Sequence, residues 1–356
     1  MQVSQSGAGA YEAALATDES GFAVTWYDTR DGNAEIYLRL LDASGRPAGA
    51  EHRLTQSPEA SYEASIERLG DAFAIAWYEQ AESGRPTAML GAWSRDGDRK
   101  WVTVVADDAR NPVIRTDGKT IVCAWIQAEA DGHEAVWLGA WDVNGQRSRA
   151  PARVGEASKN TWNLNLDVRG SDAWVVFDAA TSTRTSELFI GHVGSSGVSL
   201  APLTRDDGAA SKYPDLATDG EGRVALTWYD MRDGNDEIYL YVGRASDLRG
   251  EIDDRARRIT TTDGESIGAY VTWNNGRVGL AWSDKTPGAH EIYFQTFDGG
   301  GMPLESARRL TRTNAWSLVP AIRPWRNGFA LAWTEYLPAS GEAHDGTGEV
   351  SFTVVE

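Results

Sequence analysis

The chain has 356 residues, with 34 basic against 52 acidic side chains and a formal net charge of −18. Such a charge repels phosphate backbones and anionic headgroups, and the basic residues form no block, so nucleic acid is not expected as a partner. The longest apolar run, about Ile121 to Ile126, falls far short of the roughly 20 residues that span a bilayer, so no membrane insertion is expected.

The opening residues Met1 to Gln5 carry neither the charged nor the apolar region of an export signal. A chain with 15 Trp and 37 Gly reads as a repeat protein acting outside the cytoplasm, its signal already removed, and as a monomer. Residues 22 to 38, FAVTWYDTRDGNAEIYL, nearly duplicate residues 224 to 240, VALTWYDMRDGNDEIYL. The core aromatic recurs as Trp26, Trp77, Trp125, Phe177, Trp228, Trp282 and Trp333, a period near 50 residues. Around each copy apolar and polar residues alternate, as in Phe22, Val24 and Trp26 against Ala23, Thr25 and Tyr27, which predicts strands. Turn pairs such as Asp31-Gly32, Asp117-Gly118 and Asn144-Gly145 separate them. Four antiparallel strands per repeat predict an all-β, seven-bladed β-propeller. The blades fall at about 11–55, 62–106, 111–155, 163–204, 213–260, 268–311 and 320–356 plus 1–6, in a single domain of residues 1–356. The last repeat stops one strand short, and Val3 stands in the register that Leu54 and Leu310 hold elsewhere, so the N-terminal strand is predicted to complete the seventh blade.

The run Trp26-Tyr27-Asp28, Arg30-Asp31-Gly32-Asn33, Glu35-Ile36-Tyr37 and its twin from Trp228 to Tyr239 resemble the TolB-type propeller repeat. Sialidase-like propellers are further relatives, although their Ser-x-Asp-x-Gly-x-Thr-Trp box is not found here. The resemblance covers the whole chain and implies the propeller fold. Such repeats occur in periplasmic scaffolds, cell-surface proteins and hydrolase accessory domains.

In a propeller, the loops between the second and third strands and those between blades gather at one mouth of the central channel. Two positions after the repeat aromatic stand Asp28, Glu79, Asp230, Asp284 and Glu335. Fifteen positions before it stand Tyr11, Tyr62, Trp162 and Tyr213, with Trp316 near the equivalent turn of the last blade. Aromatic faces stack on sugars or apolar side chains, and carboxylates accept hydrogen bonds from hydroxyl or ammonium groups. With Arg30 and Arg232 from the same turns, these residues are the candidate contacts of a non-catalytic propeller that binds a glycan or a protein ligand. The plainer reading is that a repeat propagates its own packing residues and that an acid beside an arginine fixes a turn.

A polysaccharide-active hydrolase or lyase is the alternative, with His344, beside Glu342 or Asp345, and Glu335 as candidate catalytic groups. A structural assembly module is a third reading. The 28–35 loop offers oxygens for calcium, but Arg30 occupies a ligand position and is expected to pair with Asp28 or Glu35 instead. The lone Cys123 and five dispersed histidines give no zinc motif, and no cofactor is expected. Arg323, Trp325 and Arg326 read as a solvated basic turn.

Overall fold

A computed structural model describes residues 1–157, 161, 163–181, 185–337 and 347–356. Among the described residues the regular structure is β-strand and two short 3₁₀ turns, arranged as seven antiparallel sheets. Blade 1 runs Ala10–Asp18, Gly21–Asp28, Glu35–Asp42 and His52–Arg53 from the axis outward, and the other blades repeat that order. The innermost strands neighbour one another around the ring, and that of blade 7, Trp316–Trp325, returns to that of blade 1. The chain is the seven-bladed propeller that its period predicts.

The core lies between blades. Each of seven apolar clusters fills one interface between neighbouring sheets and contains one repeat aromatic, such as Trp26 between blades 7 and 1 or Trp77 between blades 1 and 2. Burying such a side chain contributes on the order of 2–3 kcal/mol. The large aromatic at a fixed mid-strand position is therefore the physical content of the repeat.

The ring closes through the N-terminus. In four of the complete blades the third strand presents one amide to a threonine two residues past the end of the fourth: Ile36 N–H donates to Thr55 Oγ1 at 2.8 Å, as Leu188 does to Thr204, Ile238 to Thr260 and Ile292 to Thr311. In blade 7 the same bond runs from Val350 N–H to Ser4 Oγ at 2.7 Å, and Val3 N–H donates to the Val350 carbonyl at 2.6 Å. Val3 is fully buried in the cluster that holds Trp26. The first residues thus act as the fourth strand of the last blade, in the register set by Leu54 and Thr55.

Candidate functional site

The acid two positions after each repeat aromatic has a mainly internal task. An indole buried between sheets needs an acceptor for its N–H. Trp26 Nε1 donates to Asp28 at 3.0 Å, Trp77 to Glu79 at 3.4 Å, Trp228 to Asp230 at 3.1 Å and Trp333 to Glu335 at 2.6 Å. Gln127 serves Trp125 in the same way at 3.1 Å. Blade 4 has Phe177, which needs no acceptor, and Ala179 stands at the paired position. Asp284 departs from the rule, accepting instead from Ser266 Oγ at 3.0 Å and Thr286 N at 2.8 Å.

The arginines of these turns are equally engaged. Asp28 takes Arg30 on both backbone and guanidinium, and Arg30 continues to Glu51 at 2.6 Å. Asp230, Arg232 and Asp253 repeat the arrangement, with each guanidinium over a tyrosine ring, Arg30 on Tyr37 and Arg232 on Tyr239. Asp28 and Asp230 are buried, which by itself would raise them. The hydrogen bonds, from Arg30, Ser6 and Trp26 on Asp28 and from Arg232 and Ser211 on Asp230, hold both below the usual carboxylate range. Glu35 is bound by Arg53 and Thr55, and Asp31 by Arg53 and Tyr37. Of the carboxylates in the 28–35 loop, Asp28 pairs with Arg30, one of the two partners expected for that arginine, while Asp31 and Glu35 pair with Arg53.

The candidate aromatics divide. Tyr11 packs on Tyr27 and on Tyr336 of the preceding blade, each with ring centres 5.3 Å apart, while Tyr62 meets Tyr27 at 5.1 Å and Tyr78 at 5.8 Å. This row of tyrosines runs across blades 7, 1 and 2. Trp316 lies against His290 and Lys285 of blade 6. Trp162 and His344, with Glu342 and Asp345, lie outside the described residues.

Tyr213 differs from Tyr11 and Tyr62 although the sequence aligns all three. In blade 1 Thr17 pairs with Phe22, whereas in blade 5 Thr218 pairs with Val224, so the hairpin is one residue longer. Lys212 then takes the place of Tyr11, and Tyr213 takes that of Glu12. Two bonds from preceding blades confirm the equivalence: Glu12 N–H donates to Thr334 Oγ1 at 2.9 Å, and Tyr213 N–H to Asp178 Oδ2 at 3.0 Å.

This position is where the site is built. Among the described residues, the innermost strands of six blades break at a bulge whose first residue has a left-handed backbone: Glu12, Glu63, Asn111, Tyr213, Gly268 and Val319, with φ between 50° and 59°. Left-handed φ costs a non-glycine residue about 1–2 kcal/mol, and backbone strain of this kind is concentrated where a side chain must be aimed. All six line one cavity of about 560 Å³ in the central channel, and Tyr213 is 38% exposed.

The six positions carry five residue types, with glutamate twice and glycine once. Glu12 and Glu63 stand on adjacent blades. Among the described residues the Glu12 carboxylate has no hydrogen bond or ion pair, and the Glu63 carboxylate accepts only from Asn111 Nδ2. Both touch channel water yet are walled in by protein, and burial raises both above the usual carboxylate range. The Glu63 charge raises Glu12 further, while Arg110 opposes the rise at Glu63. Burial first, then the two acids with Tyr11 and Tyr336, push the Tyr27 hydroxyl upward.

Further along the channel, Glu67 receives Arg115 at 3.4 Å and Arg323 at 3.5 Å, and Arg115 also reaches Asp167 at 3.9 Å. Asp215 accepts from Val271 N–H at 2.8 Å in the field of Arg115 and Arg323, and burial raises its carboxyl to about 6. Arg323 is thus part of the channel wall, whereas the sequence placed it in a solvated turn. Strand alternation turns it inward two residues before the hairpin that holds Arg326 over Trp325. The missed residues carry one sequence signal: each left-handed position is followed by Ala or Pro, at Ala13, Ala64, Pro112, Pro214, Ala269 and Pro320.

No family model matches the chain, and no curated protein sequence matches it. Solved structures do. The β-propeller domain of the Trilobed protease from Pyrococcus furiosus aligns with TM-score 0.56 at 11% identity over 97% of this chain and 95% of that one. A puromycin-hydrolyzing peptidase of Mycobacterium tuberculosis aligns with TM-score 0.62 at 11% identity over 96% of this chain and 51% of that one, so the chain spans about half of that enzyme. An α-L-arabinanase of Penicillium chrysogenum, complexed with arabinobiose, aligns with TM-score 0.54 at 12% identity over 82% of this chain and 92% of that one. Likeness at these identities establishes the β-propeller fold.

Proposed function

We propose that this chain is a non-catalytic, extracytoplasmic binding propeller that takes a glycan or peptide segment into the mouth of its central channel. The observation that carries the reading is the set of strained bulges, which bring five residue types at six equivalent positions into one cavity. A scaffold position needed only for packing would repeat its residue, as the Trp positions do. The cavity volume lies within the range of ordinary ligand sites. The Arg-Asp-Gly-Asn turn and Ile-Tyr strand support a TolB-type affiliation for the repeat. Catalysis is disfavoured at Glu335, whose oxygens accept from Trp333, Ser317 and Thr313.

The test is capture on glycan and peptide arrays by the wild-type chain, by Tyr213→Ala and by Ala14→Trp, which fills the channel wall. Loss of capture by roughly tenfold or more in both variants, with melting still cooperative, is expected. Unchanged capture overturns the reading, and release of a cleaved product would favour the hydrolase.

A further inference from the structure

Two carboxyl groups on adjacent blades, lining one cavity and neither in an ion pair among the described residues, are a poor arrangement for stability alone. The fold does not require them. Gly268 and Val319 occupy the same left-handed position in blades 6 and 7, where no carboxyl is present. The Asp28 class shows what a structural acid looks like in this chain: several donors, an arginine partner and a depressed proton affinity. Glu12 has none of these. Around it stand Tyr11, Tyr27 and Tyr336, and around Glu63 stand Asn111, Tyr78 and Arg110, the last paired to Glu134 at 2.7 Å. Among the described residues the Tyr27 hydroxyl, in the field of both acids, makes no hydrogen bond.

A second, independent observation points to an occupant of the same cavity. Ser283 is fully buried and lines it, and its Oγ has no hydrogen-bond partner among the described residues. Gly268, on the strand paired with it, leaves open space where the other blades place a side chain. A buried hydroxyl without a partner is destabilising, and a polar ligand group would offset that cost.

We propose that the ligand enters the channel mouth with an organic ammonium group, which seats between Glu12 and Glu63 beside the Tyr27 hydroxyl. This inference rests on the binding reading above and names its ligand chemistry. The ammonium supplies the ion-pair partner that neither carboxylate has and donates hydrogen bonds to them, while tyrosine faces favour a cation nearby. Because burial favours the protonated acids, seating the cation releases protons, and affinity falls as pH drops from 8 to 5. An amino sugar and a lysine side chain present the same group, so both are tested.

The experiment is calorimetry on the full chain with glucosamine and with Nα-acetyl-lysine amide, each against its neutral counterpart, glucose or Nα-acetyl-norleucine amide. Expected is at least roughly tenfold preference for one ammonium probe, a binding heat that varies with buffer ionisation as proton release requires, and loss of that preference in Glu12→Gln and in Glu63→Gln. Both variants should melt no lower than wild type, which a merely structural carboxylate would not allow. Equal affinity for charged and neutral probes, no binding of either ammonium probe at millimolar concentration, or Gln variants that bind as wild type would each overturn the inference. If the arrays meanwhile capture a neutral ligand that Tyr213→Ala abolishes, only the ammonium assignment falls. If Tyr213→Ala and Ala14→Trp leave capture unchanged, the mouth is not the site and both readings fall.

Discussion

Blades 1 and 5 are nearly the same module in their middle strands and differ at the axis. Both hold a buried aspartate under an indole, an arginine linking that aspartate to an outer acid, and a tyrosine hydroxyl on the aspartate of the turn. Asn33 and Asn235 even cap the same pair of carbonyls in the following turn. At the axis, one extra hairpin residue puts Tyr213 where blade 1 has Glu12. Sameness marks what every blade needs in order to pack, and difference marks where the ring has been adapted to something that is not itself repeated.

The comparison breaks first if the shared network is not what holds the sheets. Deleting residues 1 to 6 removes the fourth strand of blade 7, the buried Val3 and the donors that Ser4 and Ser6 give to Glu349. The expected loss is the largest of any change considered, a fall in Tm of about 10 °C or more with broadened melting. An unaltered thermogram would refute closure by the N-terminus. Next in size are Asp28→Ala and Asp230→Ala. Each strands a buried indole N–H, a serine hydroxyl and an arginine, and each should cost about 3–5 kcal/mol in denaturant melts. Because both networks join one indole, one serine hydroxyl and one arginine to the aspartate, the two losses should agree within about 1 kcal/mol. A large difference would mean that the modules are alike in sequence but not in energetics.

The fold was legible because its determinants are local and written seven times. A mid-strand aromatic, a Gly turn and an alternating strand each act over a few residues, and Val3 could be placed by counting. The acids at Asp28, Glu79, Asp230 and Glu335 were legible as a pattern but not in role, since their bond to an indole two residues away requires knowing which way the ring turns. The paired change to Phe177 and Ala179 contained that answer. Glu12, Glu63 and Asn111 were illegible for a different reason. At Glu12 and Tyr213 the preceding blade catches the freed amide of the left-handed bulge, as Thr334 does for Glu12 over 322 positions of chain. No local period encodes such a partner, and the longer hairpin before Arg223 then disguised Tyr213 as a second Tyr11.

The smallest expected effect is the sharpest, because the two classes of acid should respond to pH with opposite signs. Asp28, held below the usual carboxylate range by its donors, is ionised in the folded protein at pH values where the unfolded chain has taken up its proton. Its contribution is present at neutrality and is lost as pH falls through the carboxylate range. Glu12 is raised by burial and by the Glu63 charge, so between its unfolded value and its raised one the folded state holds the extra proton. Stability from this source is full at low pH and declines as pH climbs toward 8. Glu12→Gln keeps the shape, removes the titration and relieves Glu63 of a like charge. The variant should therefore melt roughly 1–3 °C above wild type at pH 8 and together with it near pH 4.5. A gap of the opposite sign, or one that grows toward acid, would place Glu12 with Asp28 among the structural acids and leave the channel mouth without its distinguishing charge.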